Sequence, residues 1–119
     1  MNERLKIEQA IKCYIEAINT DNADIIPLAA DVLISGPMMP ESIEGEPAVR
    51  QHLSETAPFI ARMALKTTVI ENDNAAVIVE FEGLNGLVME GAYFFRFEGG
   101  LICRQQVFFD TRVLFKGEK

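Results

Sequence analysis

Between Leu87 and Phe109 the chain carries two stretches in which alternate residues are mostly apolar, joined by Glu98-Gly99-Gly100. Period two is the spacing of side chains on one face of a strand, and a glycine turn between two such stretches predicts an antiparallel hairpin. On the first arm, 87–97, it places Leu87, Met89, Gly91, Tyr93, Phe95 and Phe97 on one face and Val88, Glu90, Ala92, Phe94 and Arg96 on the other. The charges mark the second set as outward. On the return arm, 101–109, the same logic sends Cys103, Gln105, Val107 and Phe109 inward and Arg104, Gln106 and Phe108 outward. A one-residue bulge would exchange Gln105 with Gln106. A preceding strand at 75–81 adds Val77, Val79 and Phe81 to the inner face, opposite Ile78, Glu80 and Glu82. The inner set contains no Asp, Glu, Lys, Arg or His, so it must be covered, either by a filled core or by a pocket.

The cover comes from the first part of the chain. Over 3–19, Ile7, Ile11, Tyr14, Ile15 and Ile18 recur at helical spacing, with Arg4, Glu8, Lys12 and Glu16 on other faces, which predicts an amphipathic helix. After the turn residues 19–22, a short second helix is expected over 23–30, limited by Pro27. A short strand at 32–34 ends at Ser35-Gly36-Pro37, and a loop to Gly45 holds Met38 and Met39. A third helix is predicted from Pro47 to Thr56, with proline in its favourable first turn and Pro58 ending it. Phe59, Ile60 and Met63 are then expected over the core before a strand at 65–71, which Asn72-Asp73-Asn74 turns into the next. Helices first and strands afterwards is the order of an α+β domain. The fold class expected is α+β: a curved, mostly antiparallel sheet wrapped around N-terminal helices, cone-shaped, with an internal pocket. At 119 residues and 49% hydrophobic content, the chain reads as a single domain over 1–119.

A net charge of −7 opposes nucleic-acid and anionic-membrane partners. No apolar run approaches the roughly 18 residues of a membrane span, and the start lacks a signal-peptide stretch, so the location expected is cytoplasmic. Cys13 and Cys103 are far apart in sequence, so a disulfide is neither required nor excluded, and two buried free thiols are the favoured reading; no ligand cluster suggests a metal, and no cofactor is expected. Ile78, Val88, Ala92, Phe94 and Phe108 make the outer face too apolar for water alone, which predicts a homodimer through the sheet.

Four segments, in order, resemble the nuclear transport factor 2-like superfamily, which includes SnoaL-like polyketide cyclases and ketosteroid isomerases. They are Tyr14-Ile-Glu-Ala-Ile-Asn, Leu28-Ala-Ala-Asp-Val, Ile43-Glu-Gly-Glu-Pro-Ala-Val-Arg, and Phe95-Arg-Phe-Glu-Gly-Gly-Leu-Ile leading to Gln106-Val-Phe-Phe-Asp. The resemblance spans almost the whole chain and implies a cone with a pocket at its wide end, in proteins that are often dimers. It places the isomerase oxyanion tyrosine on Tyr14, the base on Gly36 and the neutral acid on Tyr93. The two carboxylates of isomerase chemistry are therefore replaced. The Asp-Arg-Asp set of the superfamily's epoxide hydrolases is also missing from the inner strand faces.

The ligand-facing residues expected are Tyr14, Ile18, Met38, Met39, Phe59, Met63, Val79, Met89, Tyr93, Phe95, Gln105, Val107 and Phe109. Tyr14 and Tyr93 are either donors to a ligand oxygen or core tyrosines with satisfied hydroxyls. His52, beside Leu53 and three residues from Val49, either faces the interior as a proton carrier or serves a structural or surface role. Asp31 and Asp110 are read as element-end caps. Three functions fit: binding of a small hydrophobic molecule; a SnoaL-like enzyme acting on a carbonyl-containing or polyketide-like substrate; and a non-catalytic dimeric interaction module.

Overall fold

The hairpin read from period two forms as β5 (Val88–Glu98) and β6 (Leu101–Phe109) in the computed structural model, which describes residues 3–37 and 39–109. Gly99 and Gly100 make the turn at φ 58° and 84°, a left-handed pair that side chains with a Cβ resist. β4 (Asn74–Gly83) pairs antiparallel with β5, and β3 (Ile60–Glu71) with β4. On the other side β1 (Leu28–Ser35) lies parallel to β6, and a two-residue β2 (Ile43–Glu44) pairs antiparallel with β1. The result is one six-stranded mixed sheet in the order β2-β1-β6-β5-β4-β3. The fold is α+β, as the element order implied.

Helix α1 (Glu3–Asn19) crosses the inner face and buries Ile7, Ile11, Tyr14, Ala17 and Ile18. They meet Val77, Val79, Phe95 and Phe97 in a single core, while Arg96 and Phe94 point out. Helix α2 (Glu46–Thr56) packs on β1 through Val49 and Leu53. Its Arg50 pairs with Glu46 and donates to the carbonyls of Ala23 and Ile26 at 2.7 and 3.1 Å, tying α2 to the turn before β1.

Five expectations are corrected. The second helix shrinks to one 3-10 turn, Ala23–Ile25, because 28–35 joins the sheet and the Pro27 carbonyl accepts the Ile102 N–H at 2.8 Å. A ladder acceptor needs no N–H of its own, so proline is tolerated there. Asp31 is not an end cap: it is exposed within β1, in the irregular stretch where the register slips between Leu28 and Leu33. In β6 the register passes from Arg96↔Arg104 to Phe97↔Ile102, which bulges Cys103 out of step. Ile102 is therefore the fully buried residue, while Cys103 is half-buried and Gln105 keeps its inward place. β3 begins five residues early, at Ile60, and leaves Phe59 69% exposed instead of over the core. Finally, both thiols are half-buried rather than buried, and free; Cys13 donates to the Ile25 carbonyl at 3.0 Å. Asp110 lies outside the described residues.

One contact fixes α1 to the sheet edge. Asn19, the last residue of α1, donates from Nδ2 to the Met63 carbonyl and accepts the Met63 N–H at Oδ1, both at 2.8 Å. The amide takes the part of a neighbouring strand for one residue of β3. Asn19→Ala removes both bonds and is expected to lower stability by about 1–2 kcal/mol, read as a shift in the urea midpoint at unchanged slope. An unshifted midpoint would show that the clamp carries no stability.

Candidate functional site

The concave face is wider than α1 can cover. Between β4–β6, α1, α2 and the loop after β1 the fold leaves a cavity of about 430 Å³. Its buried end is formed by Tyr14 from α1, Tyr93 from β5 and Gln105 from β6, exposed by 2%, 7% and 2%. Apolar side chains make the walls, chiefly Ile34, Met39, Phe81, Met89, Val107 and Phe109. Pro37, Phe59 and Asn85 are exposed and mark the mouth, with half-buried His52 and Thr56 beside them on α2.

Gly91 shapes one wall. It lies between Val79 and Phe109 in the ladder, and a Cβ there would come within 3.0 Å of the Phe81 ring and 3.4 Å of the Phe108 carbonyl. Its absence lets Phe81 and Phe109 meet edge to face, with ring centroids 6.0 Å apart.

At the buried end the Tyr14 ring stands edge-on to Tyr93 and Phe95, with centroids at 5.7 and 5.4 Å. Gln105 Nε2 donates to the Tyr14 hydroxyl oxygen at 3.0 Å. The other half of that amide, Oε1, is buried and has no partner among the described residues. Burial, with the neighbouring Tyr93, holds Tyr14 well above the ordinary phenol pKa, and burial pushes Tyr93 up to about 12. Both are neutral donors at physiological pH and neither is a base.

Of the residues singled out from sequence, Tyr14, Met39, Phe59, Met89, Tyr93, Gln105, Val107 and Phe109 line the cavity. Ile18 is packed in the core. Met63, Val79 and Phe95, with Tyr14 and Tyr93, surround a second void too small for water, so that region is solid core. Met38 lies outside the described residues. His52 does reach the cavity wall, and so do both positions that the isomerase comparison assigned to carboxylates, Gly36 and Tyr93. Among the described residues that line it there is no carboxylate, and the titratable groups are Tyr14, Tyr93 and His52. Ile34, Ile60, Phe81 and Leu87 were missed as lining residues, although parity already put Phe81 and Leu87 on the inner face. Ser35, Pro37 and Asn85 come from strand ends and loops, where no periodicity signals a direction.

Among the described residues no group of three or more His, Cys, Asp or Glu is placed to hold a metal ion, and no helix is long and apolar enough to cross a membrane.

The chain has two tyrosines and no tryptophan, so its phenol absorbance reports on this cavity. Alkaline titration is expected to stay flat through pH 10 and to rise only toward pH 12, as Tyr93 ionises. An unfolded phenol loses its proton near pH 10, so the folded chain binds more protons above that point. The associated stability is complete below about pH 10 and is lost as pH climbs through the folded values. A tyrosinate midpoint near 10 in the folded protein would contradict the burial of both hydroxyls.

The sequence profile of the SnoaL-like domain matches residues 11–105. Similar solved structures include an NTF2-like protein of unknown function from Cytophaga hutchinsonii, 21% identical with a TM-score of 0.78, covering 92% of this chain and 95% of that one. A putative ketosteroid isomerase from Kribbella flavida is 19% identical with a TM-score of 0.77, covering 88% of this chain and 78% of that one. TerC, co-crystallised with polyporic acid, is 16% identical with a TM-score of 0.80, covering 93% of this chain and 95% of that one. At such identities the likeness concerns the fold. No curated protein matches the sequence.

Proposed function

The chain belongs to the SnoaL-like domain family, and on that premise we propose that it binds a small, largely apolar molecule in the cavity, polar end toward Tyr14, Tyr93 and Gln105. The observation that carries this reading is the combination of about 430 Å³ of apolar-walled space with a buried end that is polar and uncharged. The volume falls in the ~300–1,000 Å³ range of small-molecule sites, and a few convergent polar groups on apolar walls is their usual anatomy. Met39 and Met89 give part of the wall side chains that adapt to a ligand's shape. TerC, of similar fold, was co-crystallised with polyporic acid, which supports a small-molecule ligand here.

A catalytic reading has one observation in its favour: His52 lies on the same wall as the two phenols. A SnoaL-like enzyme acting on a carbonyl-containing substrate would use Tyr14 and Tyr93 as electrophilic donors and His52 as base. The described lining residues supply no carboxylate to share that work, so binding is the reading preferred.

Titration with N-phenyl-1-naphthylamine, a neutral apolar fluorophore, tests it. Saturable enhancement at micromolar concentration is expected, weakened at least tenfold by Met89→Trp, which fills the wall, and changed less than twofold by His52→Ala. No enhancement in the unmodified protein would refute cavity binding. Discovery of a substrate whose turnover His52→Ala abolishes without loss of binding would move the assignment to catalysis.

For the outer face we propose a second copy of this chain as partner. Two apolar rows cross its middle in register, Ala76–Phe94 and Ile78–Ala92–Phe108, with Val88 nearby; Phe108 and Val88 are at least half exposed. Glu80, Glu82 and Glu90 lie to one side of the rows, paired with Arg62 and Lys66 of the same sheet, and Arg96 faces Arg104 on the other. A two-fold contact through the rows would cover Phe94 and Phe108 of both copies, and each buried phenylalanine contributes about 1.5–3 kcal/mol. Sedimentation velocity at micromolar concentration is expected to show a dimer that Phe108→Glu dissociates; a monomer in the unmodified protein would rule this partner out.

A further inference from the structure

Gln105 is the buried polar side chain at the closed end of the cavity, held inward because the β6 bulge falls at Cys103 and leaves the parity of 105, 107 and 109 intact. A primary amide has a donating and an accepting half. The donating half is engaged with the Tyr14 hydroxyl at 3.0 Å; the accepting half, Oε1, meets no donor among the described residues although the side chain is only 2% exposed. Buried polar atoms nearly always have a partner, and an acceptor that lacks one in a residue lining a cavity is a point where a guest or a bound water can complete the pairing.

The chemistry of that contact is narrow. Oε1 has lone pairs and no hydrogen, so it pairs with a donor and repels another acceptor. A carboxylate would set its oxygens against those lone pairs, in an apolar-walled space with no lysine or arginine among the described lining residues. An ammonium would enter the same space with no carboxylate among the described lining residues to balance it. A neutral hydroxyl meets neither objection, and its own oxygen can in turn accept from a phenol at this end of the cavity.

We propose that the ligand presents a neutral hydroxyl to Gln105 Oε1, so that the cavity selects apolar alcohols, phenols or enols over the corresponding ethers, hydrocarbons and carboxylates. This rests on the binding reading above and specifies which end group the site recognises. The raised pKa values of Tyr14 and Tyr93 agree with it, since surroundings that keep two phenols protonated also disfavour an anionic guest.

Four probes that share one ring system separate the possibilities: naphthalene, 2-naphthol, 2-methoxynaphthalene and 2-naphthoate, each measured by displacement of N-phenyl-1-naphthylamine at pH 7. The expected order places 2-naphthol at least tenfold tighter than naphthalene and 2-methoxynaphthalene, with 2-naphthoate weakest. In Gln105→Leu the advantage of 2-naphthol over naphthalene is expected to fall to within twofold; Gln105→Met serves the same purpose should the leucine variant fold poorly. Equal affinity for 2-methoxynaphthalene and 2-naphthol, or a hydroxyl preference that survives both substitutions, would overturn the proposal while leaving cavity binding in place. Failure of the fluorophore and all four probes to bind would overturn both.

Discussion

The structure follows from a mismatch of widths. Six strands spaced about 4.8 Å apart span roughly 24 Å, and a helix with its side chains covers only about 10 Å of that. The inner face of β4, β5 and β6 carries no charge and needs cover along its whole breadth. Curvature closes part of the gap: β3 breaks register twice, near Ala61 and Lys66, and bulges increase local twist and bend. α1 fills the β3–β4 side with Ile7, Ile11 and Ile18, while α2 approaches from β1 with Val49 and Leu53. The space left between the two helices is the cavity.

The polar groups at the closed end belong to that arrangement. Tyr14 lies on the helix face that also buries Ile7, Ile11 and Ile18, so its ring is core and its hydroxyl reaches Gln105. Tyr93 follows the alternation of Met89, Gly91 and Phe95. Neither residue departs from the pattern of its element, and together they make an uncharged hydrogen-bonding cluster without a basic group. Such a cluster orients an oxygen well and removes a proton poorly, because both phenols hold their own protons more tightly than water-exposed tyrosine does.

Much of this was legible in the sequence because alternation is a local signal. The hairpin, the inward residues of β4 and β5, and the buried face of α1 follow from spacing alone. Three things were not local. Whether an inward side chain meets protein or space depends on what lies opposite, and so Val79 and Phe95 proved solid core while Met89 and Val107 border the cavity, under the same period. The segment 23–30 contains residues that suit a helix, but pairing of Leu28 with Ile102, far along the chain, decided for a strand. The bulge at Cys103 shifts one residue and restores the rest, which is why Gln105 was placed correctly and Cys103 was not.

The Asn19 clamp has a further consequence, for solubility. β3 is the outermost strand on its side, twelve residues long, with Leu65 and Val69 exposed. A long edge strand offers open N–H and C=O groups on which a foreign strand can assemble. At Met63 those groups are already occupied by an amide that can pass the pattern no further, and the bulge at Lys66 interrupts the row beside it with a charged residue. The residue that anchors the helix also denies the sheet a site for growth, so its loss would favour aggregation as well as unfolding.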